Sequence, residues 1–246
     1  MTKHTRIAPP KTLDDIVLAD KHLRQDLQDY CDGYETGTLI FYGLPGTGKS
    51  TLARTIAEMT CGVNVAEHIN ATDKEAVKKI EYSSLIQRVD FTKWQTDKDT
   101  FVPTLIIDEV DRLTPAKMDE LKALLDTLEN RKENDFWHWN VFLTTNHLEK
   151  IPAAVRSRSK EMLIRGLTAQ DAVPAVQRIL QREGIIKSDA DVLKQIQLGI
   201  TASTNKNTRI DWRRVIDDCQ RLVRKQKRQK AAQTTQQTQQ HLTVVK

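Results

Sequence analysis

The chain has 246 residues, of which 38 are lysine or arginine and 33 are aspartate or glutamate, so its formal net charge is +5. At ~100–200 residues per domain, this length predicts one large domain, or one medium and one small domain. Charged residues make up 29% of the sequence and hydrophobic residues 39%. The longest apolar runs are only as long as a strand, which excludes a membrane-spanning helix of about 20 residues.

The composition also indicates where the protein works. The N-terminal segment Met1–Lys11 is polar and lacks the apolar core of a signal peptide. The cysteines Cys31, Cys61 and Cys219 are too few and too scattered for a disulfide framework or a zinc site, and the six histidines show no metal-ligand spacing. We therefore expect a reducing cytoplasmic setting, associated with the nucleoid, or the host cytoplasm if the protein is viral.

The positive charge is concentrated at the C-terminal end of the chain. The basic residues from Arg221 onward are Arg221, Arg224, Lys225, Lys227, Arg228, Lys230 and Lys246, and no acidic residue accompanies them. Subtracting these seven from 38 leaves 31 basic against 33 acidic residues, so residues 1–220 carry a net charge of −2. The run Arg221–Lys230 has two interpretations: a solvated helix face, or a surface that contacts nucleic-acid phosphates.

The first two thirds of the chain alternate predicted strands and helices. An amphipathic stretch at Leu18–Leu27 predicts a helix, and the apolar run at Thr104–Asp108 is typical of a parallel strand buried on both faces. The predicted strands are Thr38–Tyr42, a segment around Val65–Asn70, Thr104–Asp108, Asn140–Asn146 and Lys160–Ile164. Such alternation is typical of an α/β fold with a parallel sheet flanked by helices.

After Gly166 the sequence predicts helices only. They cover Thr168–Glu183, Ser188–Leu198 and Asp211–Lys230, and Pro174 must either delay the start of the first helix or kink it. The remaining segment, residues 231–246, is rich in glutamine and threonine and has little to bury, which predicts disorder or a short interaction tail. The chain therefore divides into an α/β domain over 1–166, a helical domain over 167–230 and a disordered tail over 231–246.

The sequence Gly-Leu-Pro-Gly-Thr-Gly-Lys-Ser at residues 43–50 matches a phosphate-binding loop between a predicted strand and a predicted helix. Its glycines allow backbone N–H groups to surround phosphates, and the helix N-terminus adds partial positive charge. Lys49 would reach the β- and γ-phosphates of a nucleoside triphosphate, and the Ser50 hydroxyl would ligate Mg²⁺. The candidate nucleotide-binding residues here are Gly43, Pro45, Gly46, Thr47, Gly48, Lys49, Ser50 and Thr51.

Two acidic residues supply the second half of the site: Asp108, which ends the buried strand Thr104–Asp108, and Glu109, which follows it. Asp108, at the carboxyl end of the strand, is placed to hold the Mg²⁺ shell, and Glu109 to orient and polarise the attacking water. The sequence therefore predicts Mg²⁺-dependent hydrolysis of a nucleoside triphosphate, with catalysis by positioning and electrostatics.

A set of short segments, in their order along the chain, resembles AAA+ ATPases. They resemble in particular the small subunits of clamp loaders, namely replication factor C and the bacteriophage clamp loaders. The matching segments are Pro10–Val17, Asn70–Asp73, Asp108–Asp111, Leu143–Asn146, Ser157–Ser159, Glu183–Ile185 and Asp211–Arg214. The resemblance covers about residues 8–225 and implies an AAA+ phosphate-loop ATPase domain followed by a small helical lid domain.

The resemblance also implies roles for individual residues. Asn146 would be the sensor 1 residue that contacts the γ-phosphate or the water, and Arg213 the sensor 2 residue of the lid. Arg158 would be an arginine finger that completes the site of a neighbouring subunit, with Arg156 as the alternative finger. Ile16 and Val17 would line the adenine pocket, although apolar residues there are equally typical of plain core.

The chain departs from the clamp-loader pattern in two ways. Ser159 replaces a cysteine, which leaves the finger intact, and after Lys230 only a polar segment remains where clamp-loader subunits have a helical collar. Assembly into a homo- or hetero-oligomer would then depend on the ATPase and lid surfaces or on a partner.

Three functions are compatible with these features. The first is a clamp-loader-type ATPase that grips DNA and opens or closes a sliding clamp. The second is an AAA+ loader of a helicase or a regulator of transposition, which the missing collar favours. The third is a nucleotide-switched DNA-binding scaffold with little turnover, and Glu109 argues against it because a pure switch can dispense with that carboxylate.

Overall fold

The computed structural model describes residues 7–61, 67–73, 75, 77, 102–133, 139–201 and 209–244. The chain divides into two compact units, one formed by Pro10–Gly166 and the other mainly by Leu167–Lys246. In the part of the chain that is described, no helix has the length and apolar character needed to cross a membrane.

The first unit is built on a five-stranded sheet in which every strand pairing is parallel. The strands lie in the order β2-β3-β4-β1-β5. Their bounds are β1 Gly37–Tyr42, β2 Glu67–Asn70, β3 Thr104–Asp108, β4 Asn140–Thr145 and β5 Lys160–Leu163. The predicted parallel α/β fold is confirmed, and the part of the predicted second strand around Val65 lies outside the described residues.

Helices cover both faces of this sheet. In the described part of the first unit they are α1 Lys21–Cys31, α2 Lys49–Cys61, α3 Pro115–Glu133 and the short α4 Ala153–Arg156. The sequence explains where α1 begins, because the carboxylate of Asp20 accepts a hydrogen bond from the His22 backbone N–H at 2.9 Å and so caps the helix.

The strands bury alternate side chains in two different cores. Leu39 and Phe41 of β1 pack in a cluster with residues of α1 and α2, whereas Ile40 belongs to the cluster that contains residues of α3. Phe41 also meets Phe142 of β4 edge to face, with ring centroids 5.7 Å apart. Since both faces of the sheet are covered, the strand ends are where polar side chains can gather.

The second unit contains three helices among its described residues, α5 Ala169–Arg182, α6 Asp189–Thr201 and α7 Trp212–Val244. Thr168 and Asp171 form the predicted capping box at the start of α5. Pro174 lies inside this helix, so the idea that proline delays the helix start is wrong. Proline has no backbone N–H, so the carbonyl one turn earlier receives no hydrogen bond from it. Because Pro174 is exposed, water can supply that hydrogen bond instead.

The last helix is longer than the sequence pattern predicts. α7 continues through residues 231–244, where a disordered tail was expected, and ends at Val244. From Trp212 onward the chain has neither glycine nor proline, and its glutamine, lysine and alanine residues favour helix. The helix therefore meets no residue that would stop it before Val244.

Gly43, the first residue after β1, provides a test of the fold around the loop. Its φ is +143°, and a Cβ there would collide with the backbone carbonyl of Ile164. We expect Gly43→Ala to lower the free energy of unfolding by about 3 kcal/mol or more, because strain and collision combine.

Gly33 is the matched control, since its φ is +77° but a Cβ would meet no atom within 4 Å. Gly33→Ala should cost only about 1–2 kcal/mol. Urea unfolding of both variants measures the difference, and equal losses would contradict the close approach at Gly43.

Candidate nucleotide site

The candidate site lies at the carboxyl ends of β1, β3 and β4. In the register of the sheet, Leu143 of β4 is level with Ile40 of β1 on one side and with Ile107 of β3 on the other. The segments that follow these three strands therefore leave the sheet at one edge, which is where open α/β sheets bind their ligands.

The segment after β1 is the glycine-rich loop. Gly43, Gly46 and Gly48 have φ of +143°, +77° and +92°, a region that residues with a Cβ rarely adopt. The Thr47 hydroxyl donates to the Leu44 carbonyl at 3.0 Å and closes the turn. Pro45 and Thr51 are exposed, whereas Gly46 is buried. The loop runs directly into α2, whose first residue is Lys49.

The Lys49 side chain is almost fully buried, with 7% of the residue exposed. Its Nζ donates to the carbonyl oxygens of Gly43 and Leu44 at 3.0 and 2.8 Å and to Oδ1 of Asn146 at 2.7 Å. An ammonium group has three protons to donate, and these three oxygens can take all of them. The structure thus brings together the lysine of the loop and the predicted sensor residue of β4.

Asp108, the last residue of β3, is 4% exposed. Its carboxylate accepts from Thr144 Oγ1 at 2.9 Å and from Arg54 at 3.4 Å, and contacts His68 Nε2 at 2.7 Å. Burial by itself raises the pKa of Asp108, but hydrogen bonds with His68, Ser50 and Thr144 outweigh it, so the pKa lies below its ordinary value. The group is therefore ionised at neutral pH and lies in contact with the Ser50 hydroxyl.

Glu109 has a backbone conformation that is unusual for a residue with a side chain, with φ 56° and ψ 46°. Its N–H donates to Thr144 Oγ1 at 3.2 Å, which helps to hold this strained residue in place. The Glu109 side chain is 39% exposed, and its Oε2 lies 4.0 Å from Nε of Arg112. The strand end therefore buries one carboxylate and leaves the next one accessible.

Three residues of this cluster were missed by sequence reasoning, namely Arg54, His68 and Thr144. Thr144 stands within the Leu143–Asn146 segment, and its position beside Asn146 was the only local signal. His68 reaches Asp108 because β2 pairs with β3, so that Asn70 is level with Asp108. That pairing cannot be derived from local pattern, so the role of His68 has no signal in the sequence.

The two candidate finger residues make ion pairs within the chain. Arg158 contacts the carboxylate of Asp126 on α3 and donates to the Ala154 carbonyl at 2.7 Å. Arg156 donates to Glu161 at 2.7 Å, and the Glu161 carboxylate raises the pKa of this arginine further. Among the described residues, neither arginine donates a hydrogen bond to the glycine-rich loop.

The candidate adenine-pocket residues lie in a segment that α1 holds in place. Arg24 of α1 donates to the carbonyl oxygens of Leu13 and Ile16 at 2.8 and 2.9 Å. Ile16 is partly buried against the core cluster of α1 and α2, and Val17 is partly exposed. Arg24, which the sequence analysis did not single out, thus fixes the backbone of this segment.

Arg213, the candidate sensor 2 residue, belongs to the second unit. It is exposed in the first turn of α7, where its backbone N–H donates to Oδ1 of Asp211 at 2.9 Å. Its contact with a phosphate therefore stays a prediction.

Other chemistry finds little support in the part of the chain that is described. No group of three His, Cys, Asp or Glu side chains there could hold a metal ion. The three cysteines are free, and burial raises the pKa of Cys31 to about 12 and that of Cys219 to about 11, so neither is a thiolate at neutral pH.

Comparison with known proteins gives consistent matches. Residues 39–167 match the model of the "ATPase family associated with various cellular activities (AAA)". The chain is 26% identical over 221 residues to the replication factor C large subunit of Thermococcus kodakarensis, covering 87% of this chain and 39% of that protein. It is 26% identical over 180 residues to the replication factor C small subunit of Aeropyrum pernix, covering 72% of this chain and 51% of that protein.

The chain thus spans about two fifths to one half of these curated relatives. Among solved structures, the RuvB Holliday junction branch migration motor of Thermotoga maritima superimposes with a TM-score of 0.53 at 18% identity. That match covers 85% of this chain and 71% of RuvB, and it demonstrates a shared fold.

The double role of Thr144 generates a stability prediction. Thr144→Val keeps the shape of the side chain but removes the hydroxyl that bonds to both Asp108 and the Glu109 N–H. Because buried polar groups then lose a partner, the free energy of unfolding should fall by about 1–3 kcal/mol in urea. The control is Thr127→Val on the exposed side of α3, which should change it by less than about 0.5 kcal/mol. Equal effects of the two substitutions would contradict this role.

Proposed function

This chain belongs to the AAA ATPase family, and from that membership we propose that it binds ATP with Mg²⁺, hydrolyses it, and acts as a clamp-loader-like ATPase in DNA replication. The observation that carries the proposal is the contact between Lys49 and Asn146. Beside it, the Thr144 hydroxyl bonds to both the Asp108 carboxylate and the Glu109 N–H. A phosphate-binding cation, a polar sensor and a pair of carboxylates are what phosphoryl transfer to water requires.

The glycine-rich loop would hold the phosphates through its backbone N–H groups and the N-terminus of α2. Lys49 now contacts two loop carbonyls and the Asn146 amide. When ATP binds, the ammonium would exchange these neutral oxygens for charged phosphate oxygens, which make the stronger hydrogen bonds. Asn146 would then be released to contact the γ-phosphate or the attacking water.

The residues present fit a magnesium ion. Mg²⁺ takes oxygen ligands and is usually held by one or two protein groups together with the phosphates and water. The Ser50 hydroxyl and the Asp108 carboxylate touch, and the pKa of Asp108 is lowered, so it offers a charged oxygen at neutral pH. Ser50 would ligate the ion and Asp108 would hold its shell. When bound, the ion neutralises charge on the β- and γ-phosphates.

Glu109 is the proposed base. Its side chain is exposed to solvent, while its backbone N–H is hydrogen-bonded to Thr144. The carboxylate can therefore contact a water molecule without any movement of the strand end. General-base assistance contributes about 10²- to 10⁴-fold to a rate.

The finer part of the proposal concerns the partner. The replication factor C relatives and the clamp-loader resemblance support an oligomer that loads or remodels a protein on DNA, and loading of a replicative helicase is the alternative. Affinity capture with the purified sliding clamp and replicative helicase of the source organism, in ATP and in ADP, distinguishes them. ATP-dependent capture of the clamp alone supports the clamp-loader assignment, and capture of the helicase alone contradicts it.

Substitution of Glu109 tests the proposed chemistry. Glu109→Gln keeps the size of the side chain but removes the base, so ATP binding should persist while turnover falls by about 10²-fold or more. Lys49→Ala is the contrasting variant, since loss of the cation should abolish nucleotide binding itself. Binding is measured with a fluorescent ATP analogue and turnover by phosphate release. Hydrolysis by Glu109→Gln at the wild-type rate would refute the assignment of the base.

The proposed finger can be tested by mixing subunits. Arg158→Ala should lower the ATPase rate by about 10³-fold or more if the guanidinium acts on a neighbouring subunit. Mixing it with Glu109→Gln should restore part of the activity, because some interfaces then join an intact site to an intact finger.

Asp126→Ala is the matched control, since it breaks the same ion pair but keeps the arginine. It should retain activity, whereas Arg156→Ala reports on the alternative finger. If Asp126→Ala loses as much activity as Arg158→Ala and mixing rescues neither, Arg158 has a structural role within its own chain.

A further inference from the structure

The second unit carries a compact group of positive charges on α7, here called the cationic face. It consists of Arg221, Arg224, Lys225 and Arg228. Their spacing of three, four and seven residues places them on one side of the helix, within about 10 Å along its axis. They also line one shallow surface concavity together with Gln229 and Ala232.

The opposite side of the helix is occupied by the core of its own unit. Val215, Cys219 and Val223 are 7%, 3% and 2% exposed, and they lie about half a turn away from the cationic face at 100° per residue. Burial of this apolar side fixes the rotation of α7. The cationic face must therefore be turned away from the core of the unit.

Carboxylates of the chain do little to neutralise this face. Arg221 lies 3.4 Å from Asp218, and Arg224 donates to the neutral amide of Gln220 at 3.4 Å. Within the described residues, neither Lys225 nor Arg228 forms an ion pair, and the sequence contains no acidic residue after Asp218. Like charges three and four residues apart repel one another, so an external anion with several charges would relieve this repulsion.

We propose that the cationic face of α7 binds the phosphate backbone of duplex DNA without reading its sequence. This inference rests on the proposed role at DNA, but not on ATP hydrolysis. Duplex DNA carries one negative charge per ~1.7 Å of its axis. About six phosphates therefore lie along the ~10 Å of helix axis over which the face presents its four cations. Three of the four are arginines, whose guanidinium groups bind phosphate oxygens in pairs.

The same features disfavour a membrane surface as the partner. A helix that lies on a membrane needs an apolar side free to enter the lipid. The apolar side of α7 is already buried in its own unit, and the remaining residues that line the concavity are Gln229 and Ala232.

The experiment compares two variants of the full chain with equal net charge. The first replaces the cationic face, as R221Q/R224Q/K225Q/R228Q. The second, R178Q/R182Q/K187Q/K194Q, removes four cations from α5, α6 and the segment between them in the same unit. Affinity for a labelled duplex of mixed sequence is measured without nucleotide between about 50 and 200 mM salt. Circular dichroism verifies that each variant is folded.

The expected result is a change of salt dependence confined to the first variant. With about 0.9 units of log–log slope per phosphate, loss of four contacts makes the slope shallower by about 3.6. That difference corresponds to about a hundredfold in affinity across this salt range. The second variant should keep the wild-type slope, and R221K/R224K/R228K, which retains the charges, should keep it too.

Three outcomes overturn the proposal. In the first, the first variant and wild type have equal slopes; in the second, both neutralised variants lose the same DNA affinity. In the third, the first variant loses binding to anionic phosphatidylserine vesicles while its DNA binding stays intact. If the first variant does not fold, Lys225→Gln and Arg228→Gln are measured singly. Each should make the log–log salt slope shallower by about 0.9. A failed ATPase test at Glu109 leaves these measurements valid, because they contain no nucleotide.

Discussion

The candidate site depends on the position of β4 between β1 and β3. β4 pairs with β1 along its whole length and with β3 from Asn140 to Leu143, so its carboxyl end lies between the glycine-rich loop and the two acidic residues. Thr144 reaches toward β3 to hold Asp108 and Glu109, and Asn146 reaches toward the start of α2 to hold Lys49. A shift of this strand by one residue would turn both side chains to the wrong face. The core packing that sets the register of β4 is thus also what assembles the site.

The sequence predicted what is local and missed what depends on strand order. The strands, the loop and the acidic pair are readable because apolar runs, glycines and helix caps act over a few residues. The order of the sheet places β3 beside β4 and β2 beside β3, which local pattern does not encode. Thr144 and His68 matter only through these neighbours, so they were not found. For the same reason, the pairing of Arg158 with Asp126, 32 residues earlier in the chain, had no signal.

Lys49 and Asn146 form a link between the two halves of the site. A buried ammonium is costly unless its protons are bonded, and here a side-chain amide completes the set. Any phosphate that draws the ammonium away must also change the partner of Asn146. Under the proposed function, occupancy of the loop would therefore be sensed by Asn146, which follows the same strand that carries Thr144.

The cations of the chain fall into two classes with different consequences. Arg156 and Arg158 are partly exposed and paired with carboxylates of their own unit, and such pairs contribute at most about 1 kcal/mol. A phosphate carrying more than one charge can therefore displace the carboxylate at small cost, so an intrachain pair is compatible with a role toward a neighbour. On α7 only part of the positive charge is paired, since Arg221 lies near Asp218 and Lys227 contacts Glu183. Among the described residues, Lys225 and Arg228 form no ion pair, and the sequence has no acidic side chain after Asp218. Anions that balance these two cations must therefore come from solvent or from a partner.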